Sequence, residues 1–85
     1  MLVIVPSHLH GYTNGESEIE AQGATLAEVL ADLETRFRGL RFRVIDEQDR
    51  IRPHVKFFVG GDETSTLDTP VGDREVQIVA AFSGG

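Results

Sequence analysis

Thr25-Leu26-Ala27-Glu28-Val29-Leu30-Ala31-Asp32-Leu33-Glu34-Thr35-Arg36-Phe37 decides the fold. Leu26, Val29, Leu30, Leu33 and Phe37 recur at spacings of three and four, which predicts one apolar stripe on an α-helix. Thr25 followed by Glu28 fits a capping box, in which hydroxyl and carboxylate each satisfy an orphan amide. Glu28, Asp32 and Glu34 come early and Arg36 and Arg38 late, which suits the helix dipole. Gly39 followed by Leu40 reads as a glycine stop with a hydrophobic contact after it.

Strands are expected on both sides of this helix. Residues 1–5 are apolar and closed by Pro6. Residues 6–16 read as a loop, with Gly11 and the turn dipeptide Asn14-Gly15. Residues 17–22 alternate polar and apolar, as a half-buried strand does. After the helix, residues 41–53 are harder to read. Phe42, Val44 and Ile45 are expected to be buried, and 46–49 to form an exposed turn. Residues 54–59 predict a strand with Val55, Phe57 and Val59 on one face and Lys56 and Phe58 on the other. Gly60-Gly61 is the turn out. Residues 62–72 read as irregular, anchored by Leu67 and Val71. Residues 75–81 form the last strand, with Val76, Ile78 and Ala80 alternating with Gln77, Val79 and Ala81. The first and last strands are the most apolar, so they are expected to lie central and adjacent. The predicted class is α+β: one mixed sheet packed on one main helix, the arrangement of the ubiquitin-like β-grasp. The expected division is a domain over 1–81 and a flexible diglycine tail over 82–85.

The 85 residues make one small domain, with 40% hydrophobic and 26% charged residues, ordinary for a globular chain. No apolar run reaches membrane-spanning length, and residues 1–5 are too short and lack the basic flank of a signal peptide. A cytoplasmic protein is expected. There is no cysteine, which excludes disulfides, thiolate metal sites and a cysteine nucleophile. The net charge of −6 argues against a nucleic-acid partner. Residues 1–35 carry acidic side chains and no Lys or Arg, whereas seven basic residues cluster between Arg36 and Lys56. Such an acidic face could steer a basic partner or be a solvated surface.

Gly84-Gly85 follows the last strand. Terminal glycines add little to a fold because they lose the most entropy on ordering. Without Cβ atoms they can thread a narrow channel and deliver a carboxylate into another protein's active site. Ala24-Thr25-Leu26-Ala27-Glu28-Val29-Leu30, then Arg52-Pro53-His54-Val55-Lys56-Phe57-Phe58-Val59, then Leu67-Asp68-Thr69-Pro70-Val71 and Ser83-Gly84-Gly85 resemble the MoaD/ThiS sulfur-carrier family over nearly the whole chain. That family includes the small subunit of molybdopterin synthase, the thiamin sulfur carrier and carriers serving cysteine synthesis. Gly60-Gly61 stands where the family usually has Asn-Gly, and the proline common before the tail is absent.

The resemblance implies a carrier without catalytic groups of its own. A ubiquitin-activating-type adenylyltransferase would adenylate Gly85 with ATP, and a protein persulfide would supply sulfur. The resulting thiocarboxylate would serve a sulfur-accepting synthase subunit in cofactor, cysteine or metabolite biosynthesis. No permanently bound cofactor, metal, nucleic acid or membrane is implied. Residues 82–85 could reach about 13 Å at roughly 3.3 Å per residue. Phe58 and Val79, extended by Ala81, Phe82 and Ser83, are the expected partner-binding residues, with Gly84 and Gly85 the reacting end. Two other readings stand beside this one: a ubiquitin-like modifier conjugated through Gly85 to lysines, and a passive binding module.

The remaining polar features are read as surface. His8 and His10 lie two apart, with His54 distant, and no carboxylate stands at ligand spacing beside them. Glu16, Glu18 and Glu20 form a solvated strand face. Gly60-Gly61 is no phosphate loop, since no helix start with Lys and Ser or Thr follows. Lys56, the only lysine, is a solvated strand residue ahead of the alternatives of conjugate acceptor or ion partner of the Gly85 carboxylate.

Overall fold

The computed structural model describes residues 1–80. The domain boundary expected near residue 81 and the tail beyond it fall outside the described residues. Five strands form one sheet: β1 (Leu2–Ile4), β2 (Glu18–Glu20), β3 (Val55–Val59), β4 (Asp62–Thr64) and β5 (Val76–Ala80). Their order is β2-β1-β5-β3-β4. β1 and β5 pair in parallel at the centre, and every other pairing is antiparallel. The main helix α1 (Leu26–Arg36) crosses one face. The expected mixed sheet on one main helix, with first and last strands adjacent, is the observed architecture.

The period-two pattern decides which face each strand buries. Val3, Phe57, Val59, Val76 and Ile78 are almost wholly buried against α1, which contributes Leu26, Val29, Leu30 and Leu33. Burying a side chain of this size contributes about 1.5–3 kcal/mol, so this layer dominates stability.

The capping box forms with a shifted partner. The Glu28 amide donates to Thr25 Oγ1 (3.3 Å), while the Glu28 carboxylate accepts from the Ala24 amide (3.0 Å) rather than from Thr25. The loop before β5 satisfies further helix-end amides: Leu26 and Ala27 donate to the carbonyls of Thr69 and Leu67, both at 3.0 Å. Val71 is fully buried and Leu67 packs against the core, as expected of anchors. Thr25→Ala is expected to cost about 1 kcal/mol and to lower the thermal midpoint by roughly 4–8 °C. An unchanged melting curve would remove the cap from the account.

Four expectations are corrected. Residues 6–16 contain a 3₁₀ helix, Ser7–Tyr12, which buries Leu9. Residues 41–53 begin with a second helix, α2 (Leu40–Val44), following Gly39, whose φ is 91°. The Glu34 carboxylate accepts from the Gly39 amide (2.8 Å) and the Arg41 amide (2.9 Å), so α1 caps α2. Val44 and Ile45 are buried as expected, but Phe42 is 52% exposed. Its carbonyl accepts from Arg52 Nε at 2.8 Å, and that guanidinium lies 4.6 Å from the ring centroid, so the arginine covers the phenyl ring. Finally, residues 62–64 are strand β4. Gly60 and Gly61, with φ of 59° and 89°, make a two-residue hairpin turn that pairs Val59 with Asp62.

Candidate functional site

The outer face of the sheet, away from α1, carries the second side-chain parity of each strand. Phe58 lies opposite Gln77 and Lys56 opposite Val79, which puts Phe58 and Val79 on one diagonal of the β3–β5 pair. Ile4 stands level with Gln77 across the parallel pairing. Ile4, Phe58 and Val79 are all half-buried, while Glu18, Lys56 and Glu63 around them are exposed. The result is an apolar strip with a charged rim, the composition of a docking surface. Ile4 was assigned only to the central strand by sequence reading. Its parity, opposite to the buried Val3 and Val5, was the available signal.

The end of β5 gives this face its direction. Ala80 pairs with Val55 at the start of β3. Val79 therefore sits one residue before the last described position of the central strand. Of the expected site residues, Phe58 and Val79 are brought to one face. Ala81, Phe82, Ser83, Gly84 and Gly85 lie outside the described residues.

The other polar features resolve individually. Lys56 Nζ is 4.0 Å from Glu63 Oε2, both exposed, a pair of the kind that contributes little. Glu18 and Glu20 are exposed on the edge strand β2. Asp46 accepts from the amides of Arg50 (3.0 Å) and Gln48 (2.9 Å). These bonds, the first with Arg50, hold its carboxyl below the ordinary range. Among the described residues no group of three His, Asp or Glu side chains is arranged to hold a metal ion. No helix among them is long and apolar enough to cross a membrane. One groove of about 740 Å³ is lined by mixed charges, including Arg50, Arg52, Glu63 and Asp68. Arg41 in its wall is closed onto Asp49 at 3.0 Å.

A mixed five-stranded sheet with its first and last strands parallel at the centre, one crossing helix and an apolar outer face defines a ubiquitin-like β-grasp domain. The chain is 30% identical over 89 aligned positions to the sulfur carrier protein CysO of Mycobacterium tuberculosis, spanning 98% of this chain and 96% of that protein. It belongs to the CysO family of sulfur carrier proteins. A chain of the BexX/CysO complex of Amycolatopsis orientalis superposes with a TM-score of 0.91 at 30% identity, covering 99% of this chain and 98% of that one. The CysO structure of M. tuberculosis gives 0.89 at 28% identity, over 95% and 98%. The small archaeal modifier protein 1 of Methanosarcina acetivorans gives 0.81 over 99% and 94%, at 20% identity, a likeness of fold alone. No family model matches the chain.

Proposed function

We propose that this protein carries sulfur as a thiocarboxylate on Gly85. The observation that supports the reading most is its membership of a family of sulfur carrier proteins along almost its full length. The carboxylate is a poor acyl donor, because attack on it would have to expel an oxide-like group. An activating enzyme of the adenylyltransferase type joins Gly85 to AMP from ATP, releasing pyrophosphate. A protein persulfide then attacks the acyl carbon, and AMP leaves with the bonding electron pair. A second thiol cleaves the acyl disulfide so formed, leaving the thiocarboxylate. ATP is thus a substrate of the partner, and this chain holds no cofactor and no catalytic group. The sulfur passes to an acceptor synthase in cysteine, cofactor or metabolite biosynthesis in the cytoplasm. The CysO of A. orientalis forms a complex with BexX, and a protein partner that holds the carrier in such a complex is expected here.

In this reading the Ile4–Phe58–Val79 strip docks the partner, Ala81, Phe82 and Ser83 continue the contact, and Gly84 and Gly85 enter the partner's site. Val79→Asp is expected to weaken binding to the activating enzyme at least tenfold, a loss of about 1.4 kcal/mol or more, as for an interface residue that matters to binding. The unfolding midpoint should fall by only roughly 4–8 °C, the effect of about 1 kcal/mol for a poor strand former at a half-buried position of the central strand. Titration calorimetry measures it, and unaltered affinity would move the docking face elsewhere.

The deciding experiment is the intact mass after incubation with ATP, the activating enzyme and a sulfur donor. The expected gain is the exchange of one oxygen for sulfur. Adducts on other proteins' lysines instead would establish the modifier reading. No change with a partner proven active would end the carrier reading and leave the passive module, or the modifier if an adenylate forms without sulfur uptake.

A further inference from the structure

Tyr12 and Phe42 are the two large apolar side chains left exposed among the described residues, and both belong to the surroundings of α2. The Tyr12 ring rests on Gly39, at the start of α2, where a Cβ would stand 3.3 Å from it. Each ring carries a guanidinium: Arg43 lies 5.7 Å from the Tyr12 centroid and Arg52 lies 4.6 Å from the Phe42 centroid. Arg43 follows Phe42 in the helix, so rings and guanidinia make one continuous cluster. The backbone beneath it is fixed. Glu34 caps α2, the Arg52 amide donates to the Val44 carbonyl at 3.0 Å, and Ile45 bridges to Ile51. A surface held this way loses little freedom when a partner docks.

Charge marks the same place. Seven cations and three acids lie between Arg36 and Lys56, a net +4 in a chain of −6. Two of those acids are engaged locally: Asp46 accepts from the amides of Gln48 and Arg50, and Asp49 holds Arg41 at 3.0 Å. Among the described residues no carboxylate lies within ion-pair distance of Arg43, Arg50 or Arg52. Aromatic rings and arginine are the side chains enriched at protein interfaces, and a planar guanidinium fork matches a carboxylate. A polynucleotide fits less well, because the acidic remainder of the chain repels a long polyanion.

We propose that Tyr12, Phe42, Arg43, Arg50 and Arg52 form a second docking surface, whose occupant is a protein segment rich in carboxylates with an aromatic side chain among them. The carboxylates pair with the guanidinia, and the partner's ring packs beside Phe42. α2 packs on α1, in the layer that covers the inner face of the sheet. The surface is therefore separate from the Ile4–Phe58–Val79 strip, and a protein held here leaves that strip open. Docking at α2 does not depend on the chemistry at Gly85.

The test follows amide NMR shifts of the full chain, titrated with a capped peptide of four glutamates around one phenylalanine at about 0.02 M ionic strength. The expected shifts are saturable, centre on residues 39–44 and 50–52, and spare Ile4, Phe58 and Val79. Arg43→Glu combined with Arg50→Glu is expected to weaken binding about tenfold or more, through two reversed charges. Phe42→Ala is expected to weaken it roughly two- to tenfold through the lost ring pair. The same spectra report whether each variant is folded. A peptide with alanine in place of phenylalanine should lose the same factor, and that comparison needs no change to the chain. Shifts centred elsewhere, equal binding of the lysine counterpart, or no loss with the alanine peptide would each overturn the proposal. So would tighter binding of a thymidine oligonucleotide of the same charge, which would make the surface a reader of phosphates.

Discussion

Deleting Gly84 and Gly85 is expected to abolish thiocarboxylate formation completely while leaving the thermal midpoint where it was. The physical reason is a division of labour along the chain. Every buried apolar side chain among the described residues lies between Val3 and Ile78, so stability is supplied before the diglycine begins. The reacting carbonyl in the proposed mechanism is that of Gly85, and the glycine before it keeps the approach narrow. A shortened chain ends in Ser83, whose side chain and shorter reach both oppose entry into a buried site. Intact mass and a melting curve on the same sample separate the two properties. Residual sulfur uptake in the deletion would place the activated group elsewhere, and a large loss of stability would give the diglycine a structural role.

Phe57→Ala should cost about 3–5 kcal/mol, the range for emptying a buried aromatic site. Phe57 is fully buried, facing Ile78 across β5 and Thr64 across β4. An 85-residue domain has roughly 4–13 kcal/mol in all. The midpoint should therefore fall by about 15 °C or more, or the chain should fail to fold. Phe58→Ala is the matched control. One residue along, it points to the outer face, is half-buried and should cost far less. Equilibrium denaturation of both variants reads the facing of β3 directly. A larger loss at Phe58 would reverse the two faces of the sheet and with them the docking surface.

Much of this was legible in the sequence, for reasons that differ by element. α1 was readable because its apolar spacing, cap and charge order all agree. Phe57 and Phe58 were assigned to opposite faces by parity alone. The second helix was missed because it is one short turn and a half, stabilised by Glu34 from the preceding helix and not by its own cap. Phe42 misled because hydrophobicity predicts burial only on average, and here an arginine from ten residues on covers the ring. β4 was missed because Asp62-Glu63-Thr64 looks like a loop. Its membership of the sheet depends on the Gly60-Gly61 turn and on a sheet edge that tolerates polar residues. The outer apolar strip was half visible: Phe58 and Val79 follow from β3 and β5, but adding Ile4 requires knowing that β1 runs parallel beside β5.

That parallel pairing also sets the order in which the protein can be born. β5 is the middle strand of the sheet and the last described element of the chain. As the polypeptide leaves the ribosome, β1 and β3 emerge with nothing to join them, and the longest-range contacts form last. A chain broken off before residue 76 has two open strand edges and no centre, so it is material for proteolysis. Closure of the sheet therefore waits for β5, and folding is complete only once this last described element has been made.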